Sequence, residues 1–239
     1  MNKPLISVVI PTYQHASTLT ECLDSVLAQT YKNIEIIVVD DGSTDNTQEV
    51  LAKFKDRVSI IKQENQGSNL ARNRGWKEAK GEYLIFCDAD VIMDSRMLEK
   101  LHGALQSNVN ASFAYSSFKF GWKSFKGVEF DSEFLKKRNF IHTSALVRAK
   151  DFPGFDPEIK RLQDWDVWLT MSQRGLSGVL VDEVLFSVQI SGESRIGSSW
   201  LPSFLYKIPW PILGWTPRRI RKYEDAQRII CKKHMICEK

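Results

Sequence analysis

The chain has 239 residues, 43% of them hydrophobic and 26% charged, which suits a globular domain and excludes a disordered or fibrous chain. Apolar runs such as 36–39 and 84–87 are far short of the ~20 residues of a membrane-crossing helix, residues 1–4 lead into no long apolar run so no secretory signal is expected, and the four cysteines make no disulfide framework, so a cytoplasmic setting is expected. The net charge is +4, yet residues 218–239 carry eight Lys or Arg against three acids, leaving a near-neutral body that excludes a nucleic-acid binder with a basic face across the fold.

In chain order, residues 5–10 (Leu-Ile-Ser-Val-Val-Ile) form an apolar run stopped by Pro11, the pattern of a buried parallel strand. Thr18-Leu19-Thr20-Glu21 has the form of a capping box, and Leu19, Cys22, Leu23, Val26 and Leu27 recur on one helical stripe. Strands are expected over 34–39, 58–61 and 83–87, with helices over 45–54 and 69–79 between them. Strand–helix repetition at this spacing predicts right-handed crossovers and a parallel, doubly wound sheet. Beyond residue 95 a helix is expected over 95–106 with Met97, Leu98, Leu101 and Leu105 inward. Aromatic strand-like segments at 113–120 and 143–148 flank a short helical patch, and 179–188 reads as a last strand. No linker or repeat divides residues 1–190, so a single domain with a C-terminal extension over 191–239 is expected.

The polar residues gather at the carboxyl ends of the predicted strands, where open α/β sheets bind ligands. Pro11-Thr12-Tyr13, Asp40-Asp41-Gly42-Ser43, 64–68 and Asp88-Ala89-Asp90 fall there in turn. Any one of these loops reads equally as a turn or a helix cap. Four at one edge point to a polar ligand. Asp88 and Asp90, two apart after a rigid apolar strand, can reach one hard cation, Mg²⁺ or Mn²⁺, of the kind shared with substrate phosphates.

The ordered set 6–13, 38–45, 67–75 and 88–90, joined by Gly154-Phe155-Asp156 and Gln163-Asp164-Trp165-Asp166, closely resembles the family 2 glycosyltransferases of the GT-A fold over roughly residues 4–190. That resemblance implies a Rossmann-like, mostly parallel sheet flanked by helices, with residues 1–94 as the nucleotide-sugar-binding half and 95–190 as the acceptor-side half. It implies an inverting enzyme that moves a sugar from a nucleotide-diphosphate sugar, a UDP-sugar first, to an acceptor hydroxyl of a glycan or lipid-linked acceptor in cell-surface polysaccharide, lipid-linked glycan or glycolipid assembly. By the same resemblance Pro11, Thr12 and Tyr13 line the nucleoside, Asp41 binds the base and Arg72 helps hold the nucleotide. Asp88 approaches the ribose or donor sugar, Asp90 ligates Mg²⁺ or Mn²⁺, and Asp164 is the general base.

The chemistry agrees, since a cation stabilises the departing phosphates and a carboxylate must take the acceptor's proton. Asp164 and Asp166 also fit a helix start, where acids complement the dipole; Asp166 is read as structural and Asp164 as the base. Two positions depart from the family pattern: Gln163 stands where Glu is frequent, and the segment after 188 lacks the basic or His residues that close over the diphosphate. Arg195, in the Gly/Ser-rich stretch 191–199, either supplies that charge as part of a lid or lies in a linker. His142 is read as a structural hydrogen-bonder, and the group Cys231, His234, Cys237 as packing or an oligomer face.

Residues 200–217 hold Trp200, Trp210 and Trp215 among four prolines, ahead of the basic segment. This extension reads either as an interfacial anchor on an anionic membrane surface, placing the protein peripherally at the inner face, or as packing on the domain or a second subunit in a homo-oligomer. Two rival classes remain. A nucleotidyltransferase that makes the activated sugar would carry a Gly-rich phosphate loop after the first strand, which 11–15 lacks; a non-catalytic nucleotide-sugar-binding module would not need Asp90 and Asp164.

Overall fold

The computed structural model describes residues 3–189 and 217–236. Strand β1 (Ile6–Thr12) lies at the heart of the first half, paired in parallel with β2 (Ile34–Asp40) on one side and β4 (Tyr83–Phe86) on the other; β3 (Ser59–Lys62) extends the sheet beyond β2. Its unbroken apolar run has a simple cause. Ile6, Val8 and Ile10 pack into one core cluster and Val9 into another, so both faces are covered.

The predicted stop at Pro11 is corrected, because the strand runs on to Thr12 with Pro11 opposite Val39. The Val9 carbonyl accepts from Cys87 on the β4 side and the Thr12 carbonyl from Asp41 on the β2 side. By alternation Pro11 faces β4, whose pairing has ended at Phe86, so its missing N–H costs no ladder bond.

Helix α1 (Ala16–Leu27) buries Leu19, Cys22, Leu23 and Val26 of the predicted stripe and leaves Leu27 partly buried. Its start differs from the expected capping box. The helix opens at Ala16, so Thr18 already sits in the first turn, where its hydroxyl contacts the His15 carbonyl. The cap comes from elsewhere in the chain: Asp45 Oδ2 accepts the Ala16 N–H at 3.1 Å. Helices α2 (Thr47–Ala52) and α3 (Ser68–Glu78) complete the crossovers. α3 lies unusually close to the sheet, since a Cβ on Gly75 would come within 2.4 Å of Val9 Cγ1.

The second half departs from a purely parallel sheet. After β5 (Val91–Met93) and α4 (Met97–Ser107), which buries the four expected residues, come β6 (Ala111–Phe120), β7 (Lys123–Phe125), α5 (Ser132–Lys137) and β8 (Leu146–Arg148). Helix α6 (Gln163–Gln173), β9 (Ser177–Val188) and α7 (Arg218–His234) follow. The sheet order is β3-β2-β1-β4-β8-β6-β9-β5, with β7 paired to β6. β8 runs antiparallel to both β4 and β6, and β5 antiparallel to β9. The result is a mostly parallel sheet flanked by helices, with β8 inserted between its two halves.

Candidate active site

The loops beyond the parallel strands are tied to one another. Gln14, at φ 59°, donates from Nε2 to Thr44 Oγ1 at 2.7 Å, while its Oε1 accepts the N–H groups of Thr44 and Asp45. Asp41 is buried, and its carboxylate accepts from Gln63 Nε2 at 2.7 Å and from the N–H groups of Gln66 and Gly67 at 2.9 and 2.8 Å. It therefore organises the loop that leads into α3. Gly67, the residue before that helix, has φ +94°, a conformation glycine adopts without strain.

Helix α3 distributes its polar side chains between the two halves of the site. Asn69 Nδ2 donates to the carbonyls of Asp156 and Ile159, and Asn73 pairs with both backbone groups of Phe155. Arg72 Nη2 donates to Asp88 Oδ1 at 2.6 Å, Nη1 donates to Asn69 Oδ1 at 3.2 Å, and the guanidinium lies 5.2 Å from the Phe155 ring centroid.

Asp88 and Asp90 occupy the corner between β4 and β5, which the Val91 N–H closes on the Asp88 carbonyl at 2.9 Å. Their electrical states are opposed. Burial pushes Asp88 up, but the Arg72 guanidinium and then His142 outweigh it and hold the carboxyl below its ordinary value. At Asp90 burial, then the charge of Asp88, outweighs the weaker pull of a backbone hydrogen bond and of Arg72 and pushes the carboxyl up to about 7. A half-buried carboxyl short of counter-charge fits a hard divalent cation. Among the described residues no group of three or more His, Cys, Asp or Glu is placed to cage one, so a cation here would take its remaining ligands from substrate oxygens and water.

Across the site, Asp164 stands in the first turn of α6. It is not that helix's N-cap, which is Leu162 at φ 59° with no side-chain cap. Asp164 Oδ1 accepts the Trp165 N–H at 2.9 Å, and Asn139 donates a further hydrogen bond. Burial raises its carboxyl above the ordinary value, against the opposing pull of His142 and Asn139. The helix start is pinned by indoles: Trp165 Nε1 donates to the Leu135 carbonyl at 2.7 Å and Trp168 Nε1 to that of Ile141 at 3.0 Å.

His142 is the residue that sequence reasoning set aside and the structure brings in. It interacts electrostatically with both Asp88 and Asp164, while burial lowers its pKa. Its ring packs against Phe118 and Phe186 at centroid distances of 5.1 and 4.9 Å, and Nδ1 accepts the Ser144 N–H at 3.1 Å, which leaves the proton on Nε2. No local pattern marked it: His142 lies just ahead of β8, whose antiparallel pairing with β4 puts Leu146 opposite Ile85. His15, also with a pKa lowered by burial, senses Asp88 and Asp45 from the start of α1.

Five buried polar side-chain atoms among the described residues lack a protein partner, and three of them belong to this region: Thr12 Oγ1, Arg72 Nε and Ser144 Oγ. Such atoms are costly unless a ligand or water meets them. Of the other expected site residues, Pro11 is buried and Tyr13 half-buried at the end of β1, and Arg195 lies outside the described residues.

A sequence profile described as Glycosyl transferase family 2 matches residues 7–156. Among curated proteins, the chain is 47% identical over 106 residues to "Glycosyltransferase GlyG" of Streptococcus pneumoniae, covering 43% of this chain and 35% of that protein. It is 27% identical over 214 residues to "Putative teichuronic acid biosynthesis glycosyltransferase TuaG" of Bacillus subtilis, covering 83% and 84%. The chain spans 35% and 64% of the length of the first two curated relatives it matches. In fold it is similar to S. aureus TarS 1–349 in complex with UDP-GlcNAc, with TM-score 0.68 and 18% identity over 96% of this chain and 71% of that one. It is also similar to a mannosyltransferase from Pyrobaculum calidifontis in complex with GDP-Man and Mn²⁺, with TM-score 0.63 and 17% identity over 96% and 70%.

Proposed function

Because this chain belongs to glycosyl transferase family 2, we propose that it transfers a sugar from a UDP-sugar to an acceptor hydroxyl with inversion at the anomeric carbon. The observation that carries this reading is one site that holds a carboxyl corner, with Asp88 bound by Arg72 at 2.6 Å and shifted down while Asp90 is shifted up, and a third, raised carboxyl, Asp164, with His142 in electrostatic reach of Asp88 and Asp164. UDP-GlcNAc in the TarS complex supports a UDP-sugar donor, and Mn²⁺ in the mannosyltransferase complex supports a divalent cation.

The roles are those the family resemblance implies, and position supports them. Pro11, Thr12 and Tyr13 line the nucleoside. Asp41 receives a base N–H on the acceptor capacity that Oδ2 keeps beyond the Gly67 bond, while its other contacts fix the loop. Arg72 aligns Asp88 toward the ribose or donor sugar. Asp90 holds Mg²⁺ or Mn²⁺, which when bound stabilises the negative charge gathering on the leaving diphosphate. Asp164 takes the acceptor proton, and its raised pKa makes it a better base than an ordinary carboxylate. A single base without a second nucleophile fits inversion.

The acceptor is a glycan or lipid-linked hydroxyl of cell-surface polysaccharide, lipid-linked glycan or glycolipid assembly, a reading the teichuronic-acid name of the Bacillus relative supports. No helix among the described residues is long and apolar enough to cross a membrane. The outer face of α7 exposes Arg218, Arg219, Arg221, Lys222, Arg228 and Lys232, chemistry suited to an anionic membrane surface. The aromatic segment that would accompany it, 200–216, lies outside the described residues, as does the stretch around Arg195 that reads as a lid or a linker.

The test is a panel of nucleotide sugars with and without Mn²⁺, scored for transfer or hydrolysis. Asp164→Asn should keep donor binding and lose turnover by about 10²–10⁴-fold. Wild-type kcat should rise with pH through an inflection above the ordinary carboxylate range, because the base acts only when ionised. Retained turnover in Asp164→Asn would return the residue to a helix-start role, and retention of anomeric configuration would overturn the inverting mechanism.

A further inference from the structure

Helix α7 is bound to the rest of the molecule by more than apolar burial. Ile220, Ala226, Ile230 and His234 face inward, and Ile230 joins the core cluster that contains Trp165 and Trp168 of α6. At the carboxyl end of α7, Lys233 Nζ lies 2.7 Å from Asp156 Oδ2 and 2.8 Å from Asp166 Oδ1. His234 Nε2 lies 2.7 Å from the same Asp166 oxygen, and Nδ1 lies 2.9 Å from Gln173 Oε1. The Gln173 amide cannot be reversed, because its Nε2 donates to the His234 carbonyl at 2.9 Å and a flipped oxygen would meet that carbonyl. Both imidazole nitrogens therefore lie within hydrogen-bond reach of oxygens on α6. Asp166, 3% exposed, thus receives a charge-assisted bond from Lys233 and lies in hydrogen-bond contact with the neighbouring His234.

The position of this knot gives it a consequence. α6 begins without a side-chain cap at Leu162, so its start is held by the Trp165 and Trp168 indoles on one side and by the α7 contacts to Asp166 on the other. Lys233 meanwhile grips Asp156, whose carbonyl Asn69 holds from α3, and α3 carries Arg72 to Asp88. A continuous set of polar contacts runs from Asp88 through α3, the 155–156 loop and Lys233 to Asp166, two residues from Asp164. We infer that α7 is a clamp that sets the spacing between the donor-side carboxylates and the base, with Lys233 and His234 acting as positioning residues through Asp166. The inference rests on the reading of Asp164 as the base. Burial lowers the Lys233 pKa, but its bonds to Asp156 and Asp166 outweigh this and raise it, so the clamp keeps its charge through the neutral range.

The experiment uses the full chain and needs no substrate. Lys233→Met, with Lys233→Arg as the conservative partner and the exposed Arg228→Met as control, is compared with wild type by hydrogen exchange and by ¹³C titration of the Asp164 carboxyl, assigned with Asp164→Asn. Lys233→Met should speed exchange of the amides at 163–168 at least tenfold while 83–88 stays protected, and should move the Asp164 titration toward the ordinary carboxylate range as its burial relaxes. Lys233→Arg should restore both, and Arg228→Met should change neither. Unchanged exchange and titration in Lys233→Met would overturn the clamp, and so would an equal loss of protection at 83–88, which marks general destabilisation. Failure of the base reading would show separately, as turnover retained by Asp164→Asn with these two readouts intact.

Discussion

Asp90→Asn should stabilise the metal-free protein, although it removes the residue assigned to the cation. The Asp90 carboxyl rises from an ordinary 3.8 to about 7. At about 1.36 kcal/mol per pH unit, this rise sets a ceiling of about 4 kcal/mol on the cost of ionising it in the folded state. Asp90 is only half-buried and solvent screens part of that cost, so a gain of about 1–2 kcal/mol is expected from the neutral amide. The sign is fixed by linkage. Between pH 4 and 7 the folded protein keeps a proton that the unfolded chain releases, so wild-type stability declines across that window and the full cost stands above it. Urea denaturation without metal should therefore give equal stabilities near pH 4 and a more stable variant at pH 8. Mn²⁺ should then add to the stabilisation by UDP in the wild type and add little in the variant, since a neutral amide is a far weaker ligand than a carboxylate. A variant less stable than wild type at pH 8, or a difference independent of pH, would refute the view of Asp90 as a charge awaiting its counter-ion.

Two further outcomes test the architecture around the site. Arg72→Gln removes the cation 2.6 Å from Asp88, so the variant should bind UDP with Mn²⁺ at least tenfold more weakly by calorimetry while the domain stays folded. Gly75→Ala places a methyl 2.4 Å from Val9 Cγ1 and should cost about 1–3 kcal/mol in urea denaturation, by forcing α3 off the sheet and Arg72 with it.

Much of this protein was legible before its structure because the signals were local. A run such as Ile6–Ile10 with no polar alternation announces a strand covered on both faces, and the stripe from Leu19 to Val26 announces one buried helix face. The Asp-Ala-Asp corner after an apolar strand and the ordered motifs around it named the family, which the profile match bears out. The misreadings came where the answer lay across space. Thr18 and Glu21 spell a capping box, but Asp45, from a different loop, caps α1. Pro11 spells a stop, but the strand continues because its neighbour on that side has already ended.

The sequence by itself determined the periodicities, the turn chemistry and which residue types crowd the carboxyl ends of the parallel strands. Only the tertiary structure decided which of them meet. β8 runs antiparallel between β4 and β6, and that direction, which no periodicity encodes, brings His142 to Asp88. Asp166 and the Lys233–His234 pair are 67 and 68 residues apart, and they meet because α7 folds back onto α6. The physical reason is common to both. A side chain's period along the chain follows from its own backbone, whereas its counter-charge and its burial are set by whichever distant segment packs against it.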